Sequence, residues 1–143
     1  QVNAKGERAN VGGYDIPCLY CHTMPYKGRH STVPSTAVCM NCHSTVGLGK
    51  EWVLKVKEHW DRGEPIPWVK VHDMPDFVYY DHSAHLNAKN TQGKPKLACK
   101  DCHGEVEKRD IVRVETRFNM GWCVDCHRKP EMAASVDCIV CHR

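Results

Sequence analysis

No apolar run in this chain approaches the roughly 20 residues needed to cross a bilayer as a helix. Large apolar side chains are scarce as well: aromatics make up 8% of the 143 residues, only 2 of them Phe, and mean hydropathy is −0.55. A domain this short closes a core only with ample apolar mass, so something other than side chains must supply it. Charge of one sign is also missing. Lys and Arg total 20 against 17 Asp and Glu, a formal +3, a weak pointer to any acidic partner. The start, Gln1 to Gly13, is polar and lacks the apolar stretch of a secretion signal, so an export leader would have been cleaved or would lie upstream of Gln1.

Cysteine, by contrast, is abundant: 10 residues, about 7% of the chain. Every one falls in a C-x-x-C-H string. The strings are Cys18, Cys21 and His22; Cys39, Cys42 and His43; Cys99, Cys102 and His103; Cys123, Cys126 and His127; and Cys138, Cys141 and His142. In a helical turn, positions i, i+3 and i+4 share one face. Two thiols there can form thioethers with the vinyl groups of a haem while the next residue presents its imidazole to the iron. Zinc ribbons use C-x-x-C pairs too, but have no need of His after the second Cys, and five pairs is an odd number for sites that consume two. A disulfide framework would not confine all cysteines to one spacing with a trailing His. Thioredoxin-like motifs come singly, beside a βαβ pattern that is absent here. The strings therefore predict five covalently bound c-type haems.

Covalent attachment requires reduced thiols and haem delivered outside the bacterial cytoplasm. The expected location is the periplasmic side of the bacterial inner membrane, or the extracellular space. The haems also change the charge. Their ten propionates and five ferric cores turn the formal +3 into about −2 oxidised and about −7 reduced, which excludes nucleic acid as a default partner.

The gaps between strings are uneven, at 16, 55, 19 and 10 residues. The long one holds the clearest helical pattern, about Lys50 to Arg62, with Trp52, Val56, His59 and Trp60 on one face and Gly63, Pro65 and Pro67 ending it. Ser35 is placed to cap a short helix carrying Cys39. Val112, Val114 and Phe118 alternate with charged residues, which suggests a brief extended segment. The remainder reads as loops and single helical turns. The expected fold is mostly coil with short α-helices, little β and a haem-packed core. A coarse division puts haems one and two in residues 1–75, with the helix about 50–62, and haems three to five in residues 76–143.

An electron-transfer iron usually takes a second protein ligand, His or Met. Five His remain for five haems: His30, His59, His72, His82 and His85. His82 and His85, three apart, share a helical face and can reach two irons. His72 lies between Pro67 and Pro75. His59 competes with the reading of a core histidine on an apolar face, and His30 with that of a solvated loop residue. Met120, three residues before Cys123, is the best placed thioether; such a ligand would raise the reduction potential. Met24, Met40, Met74 and Met132 read as packing residues.

Three stretches carry a family resemblance: Cys39-Met-Asn-Cys-His43, the run from Pro65 to His85, and Met120-Gly-Trp-Cys-Val-Asp-Cys-His-Arg128. They resemble the pentahaem cytochrome subunit of alternative complex III, a bacterial quinol oxidoreductase, and the likeness runs from about Cys18 to Pro130 with the haem strings in the same order. The C-terminal third is also similar to the small class III, c7-like cytochromes, which place F-x-H-x-x-H ahead of a haem string. Tyr80, His82 and His85 match that motif with Tyr for Phe. The resemblance implies His82 on the third haem and His85 on the fourth. Where the small proteins put their next distal His, this chain has Met120. Val2–Pro17 holds no counterpart of the family's H-x-x-H before the first string, so the first haem's distal ligand falls to His30, His59 or a partner chain.

The resemblance implies an electron-relay subunit of a membrane-bound quinol-oxidising respiratory or photosynthetic complex. Its electrons would come from an iron–sulfur protein and pass to a downstream cytochrome or oxidase. The catalytic quinol site would lie in another chain, with membrane association through partners or an anchor outside this chain. This chain is thus not expected to be an enzyme. One alternative is a free periplasmic or filament-forming extracellular conduit; another is a multihaem reductase with one open iron.

Overall fold

The computed structural model describes residues 16–143; Gln1–Gly13 and most of Val2–Pro17, on which the leader and missing-histidine readings fall, lie outside them. Among the described residues seven short helices follow one another: α1 (Cys18–Cys21), α2 (Thr36–His43), α3 (Glu51–Arg62), α4 (His82–Leu86), α5 (Cys99–His103), α6 (Met120–His127) and α7 (Cys138–Cys141). A single 3₁₀ turn, Val106–Lys108, follows α5. Among the described residues there is no strand, only a bridge between Lys89 and Pro95. The alternation at Val112, Val114 and Phe118 yields unpaired chain. Its apolar members serve other contacts: Phe118 sets its ring against Trp122, with centroids 5.3 Å apart.

Five of the seven helices are the C-x-x-C-H strings themselves, each a turn or two long. The caps explain where some of them begin. Asn119 accepts the Trp122 N–H at 2.9 Å and starts α6. Asp81 accepts the N–H groups of Ser83 and Ala84 and starts α4. These bonds satisfy donors that the first helical turn leaves orphaned. Ser35 occupies the cap position of α2, but its hydroxyl makes no capping bond.

The longest helix, α3, is twelve residues and ends in a Schellman turn. Gly63 has φ +66, the Gly63 N–H bonds Trp60 O and the Glu64 N–H bonds His59 O. Only glycine reaches that left-handed conformation without a Cβ penalty. α3 packs back on α2 with Val53 as its buried residue, while Trp52 stays 65% exposed beneath the Lys55 ammonium. The packed face thus centres on Val53, one residue round from the expected stripe.

Of the large apolar side chains, Val53 and Leu86 alone reach full burial among the described residues, at 7% and 9% exposure. Side chains meet instead in an aromatic cluster around His103, formed by His72, His82, Phe118 and, through Phe118, Trp122. Loops are sewn across it. The Arg29 guanidinium donates to Tyr80 O and Val78 O, and Asn87 donates to Tyr26 O at 2.9 Å. Tyr79 lies between the guanidinium groups of Arg29 and Arg143 and donates its N–H to Cys141 O.

Candidate haem-binding site

Each string presents two thiols and an imidazole from one or two helical turns, and none of the ten cysteines is paired in a disulfide. Among the described residues no group of three or more His, Cys, Asp or Glu is disposed to cage a lone ion. The donors are instead arranged as separate imidazoles, and their hydrogen bonds follow one rule. His22 Nδ1 donates to Thr32 O (2.6 Å), His43 to Val46 O (3.1 Å), His127 to Ser135 O (2.7 Å) and His142 to Phe77 O (3.2 Å). The spare histidines do the same, His82 to Arg29 O (2.8 Å) and His85 to Asp81 O (2.7 Å). A carbonyl can only accept, so in all six rings Nδ1 carries the proton and Nε2 offers its lone pair. That is how protein carbonyls orient metal-binding histidines and fix their tautomer.

Ring spacing tests whether an iron fits between these donors. An imidazole nitrogen bonds such metals at about 2.0 Å, so two rings on opposite faces of one ion have centroids roughly 6 Å apart. His82 and His103 are 6.2 Å apart with planes within 6° of parallel, and His85 and His127 are 6.0 Å apart. Both pairs have the separation that one shared iron requires. Tyr80 stands between the His82 and His85 rings, its own ring 4.9 Å from His82 and 4.6 Å from His85. Burial pushes the Tyr80 hydroxyl above its ordinary pKa, so it stays a neutral spacer. Burial also holds His103 down at about 4, reinforced by His72, His82 and His22; it therefore keeps the neutral form in which imidazole ligates.

The other expected ligands are spread more widely. His72 sits edge-on to His103 at 4.5 Å, with a buried Nε2 that no hydrogen bond satisfies. Burial lowers its pKa. His59, on α3, likewise has a buried, unpartnered Nδ1. Buried polar atoms without partners are rare and call for an explanation; an iron ligand in waiting is a chemically consistent one. His30 is exposed in the loop after the first string. Met120, at the first position of α6, is 67% exposed. The structure thus brings together His82 with His103 and His85 with His127, and adds His72 beside the first of these pairs.

Sequence reasoning missed the carbonyl acceptors. Thr32, Val46, Ser135, Phe77, Arg29 and Asp81 contribute backbone oxygens, which leave no mark in residue type. One partial trace exists. Thr32 has φ +63, a left-handed conformation that a β-branched residue adopts only where its surroundings impose it. The carbonyl of that residue is the one facing His22.

Short helical strings, vicinal imidazoles with free Nε2 atoms and a core without side-chain filling define the class. The helix-and-coil fold is that of a multihaem cytochrome c of class III type, a family whose haem c is covalently bound and whose work is electron transfer. Residues 78–143 match the family of cytochrome c7 and related cytochrome c. The chain is also similar to the multihaem cytochrome c subunit of menaquinone reductase from Nitratidesulfovibrio vulgaris (strain Hildenborough). That relative is 28% identical over 154 residues, spanning 95% of this chain and 73% of its own length.

Proposed function

We propose that the chain is a pentahaem relay subunit of a membrane-bound quinone-linked complex, quinol-oxidising in the manner of alternative complex III. It would act on the periplasmic side of the bacterial membrane. The observation that carries this is the double pairing of His82 with His103 and His85 with His127, with all four rings held near 6 Å from their partners. Two protein ligands on an iron leave no position for substrate, which favours a relay over a reductase. The menaquinone reductase subunit among its relatives supports a quinone-linked assembly, and the stretch from Pro65 to His85 supports the quinol-oxidising type.

When bound, each haem supplies a one-electron Fe(III)/Fe(II) couple. The chain's own residues hold and tune it. The cysteine pairs would anchor a haem at each of the five strings, and His22, His43, His103, His127 and His142 would take the proximal position. His82 and His85 would be distal ligands of the third and fourth haems, with His72, His59 and His30 as the reserve for the rest. The Nδ1 bonds to carbonyls would fix the six rings that make them and raise their basicity, which favours the ferric state. Quinol chemistry would belong to another chain, with an iron–sulfur protein as donor and a downstream cytochrome or oxidase as acceptor.

Isolation of the native assembly from host membranes tests this reading. The expected result is a hetero-complex containing an iron–sulfur subunit, with fully low-spin haem in the oxidised protein. A single soluble chain, a homopolymer or a large high-spin signal would refute it.

A further inference from the structure

Contacts between the strings tie the first to both the second and the third. Asn41, inside the second string, donates to the hydroxyl of Tyr20, inside the first, at 3.3 Å. Cys21 of the first string stands within electrostatic reach of Cys39 of the second. At the other end of α1, Cys18 lies close to Cys99 of the third string, and His22 lies within electrostatic reach of His103. The first string therefore has a neighbour on each side.

The chain leaving the first string strengthens this. Gly28 O and Arg29 O receive the N–H groups of Ser83 and His82, at 3.2 and 3.3 Å. Arg29 O also receives the His82 ring, and the Arg29 side chain clasps Tyr80 and Val78. The first string is thus fastened to α4, whose His82 and His85 face the third and fourth strings. The second string has a different attachment. It lies on α2, which packs on α3, and its 55-residue gap to the third string leaves ample chain to pass by the first. Onward from the third string, Cys102 is within electrostatic reach of Cys126 and Cys123 of the fourth, and Cys123 is within reach of Cys141 of the fifth. Phe77 stacks on His142 of the fifth, and the Phe77–Tyr80 segment stands between that string and the Arg29 loop.

We infer that the five attachment strings form a line in the order second, first, third, fourth, fifth, so that electrons enter and leave this chain at its second and fifth haems. This rests on haem attachment at all five strings, as proposed above. The first haem is then an internal relay. Each hop would move one electron, oxidising a ferrous iron and reducing the ferric iron beside it, with the two partner redox centres as reductant and oxidant at the ends.

The test is the set of iron–iron separations in the haem-loaded chain within its native assembly, from crystallography or cryo-electron microscopy. The expected result is that the second iron has the first as its nearest neighbour within the chain, and that the first lies nearer the third than the second does. A second iron nearer the third than the first is would overturn the order. Fewer than five haem irons would refute the attachment reading instead, and is distinguished from a wrong order by the count alone.

Discussion

At His82 the imidazole is held from two directions: Nδ1 donates to Arg29 O at 2.8 Å, and the ring makes a T-shaped contact with Tyr80. Its Nε2 is left free 53 residues away in sequence from the loop that orients it. Replacing His82 by Ala is expected to convert one haem of five from low-spin to high-spin, read by low-temperature electron paramagnetic resonance of the oxidised protein. An unchanged spectrum would mean that His103 has another partner. Met120 gives the converse case. With that side chain 67% exposed and His85 already facing His127, Met120→Leu should leave the visible and paramagnetic spectra as they are. Loss of a thioether–iron absorption band in the variant would show that sulfur is a ligand. The residue types brought together here were legible in the sequence, because C-x-x-C-H and H-x-x-H are local. The partners that aim them were not, because a carbonyl oxygen such as Thr32 O is offered by every residue type and is selected only by the fold.

Elements here are set more by caps and stops than by amphipathic faces. α6 begins where Asn119 accepts the Trp122 N–H, and it carries Cys123, Cys126 and His127. Loss of such a cap costs about 1 kcal/mol. Asn119→Ala should therefore lower the stability of the haem-loaded protein by that order, read as a shifted denaturant midpoint, while Asn119→Ser should restore most of it. An Ala variant as stable as the parent would mean that the thioether bonds alone define α6. The helix expected over about 50–62 is α3, Glu51–Arg62, since a periodic run closed by Gly63 and Pro65 is a local signal. Its buried residue was less legible. Trp52 fits the helical stripe, but Val53 faces Gly47 and α2, a contact that depends on how the α2–α3 turn closes. The extended segment expected around Val112 has the right alternation and lacks a neighbouring strand to bond, so alternation alone produced no sheet.

For the whole molecule the governing fact is the small side-chain core. Fully burying a Val or Leu contributes roughly 1.5–3 kcal/mol, and two such residues, Val53 and Leu86, fall far short of the ordering entropy of a chain this long. The haems must act as the missing apolar mass. Chain produced without haem attachment is accordingly expected to show no cooperative thermal transition, whereas the haem-loaded form should melt cooperatively; a cooperative melt of the haem-free chain would contradict this. The scarcity of large apolar residues made that dependence readable from composition. The spatial sequence of the strings was not readable, because it arises from long-range bonds such as Asn41 to Tyr20 and Ser83 to Gly28.

Electron relay through the whole chain requires that every C-x-x-C-H string carry its own haem. A pyridine haemochrome assay on chain matured by a host competent in haem attachment, set against protein concentration, measures this directly. Five covalent haems per chain are expected, one for each string; a reproducible value below five would refute attachment at every string.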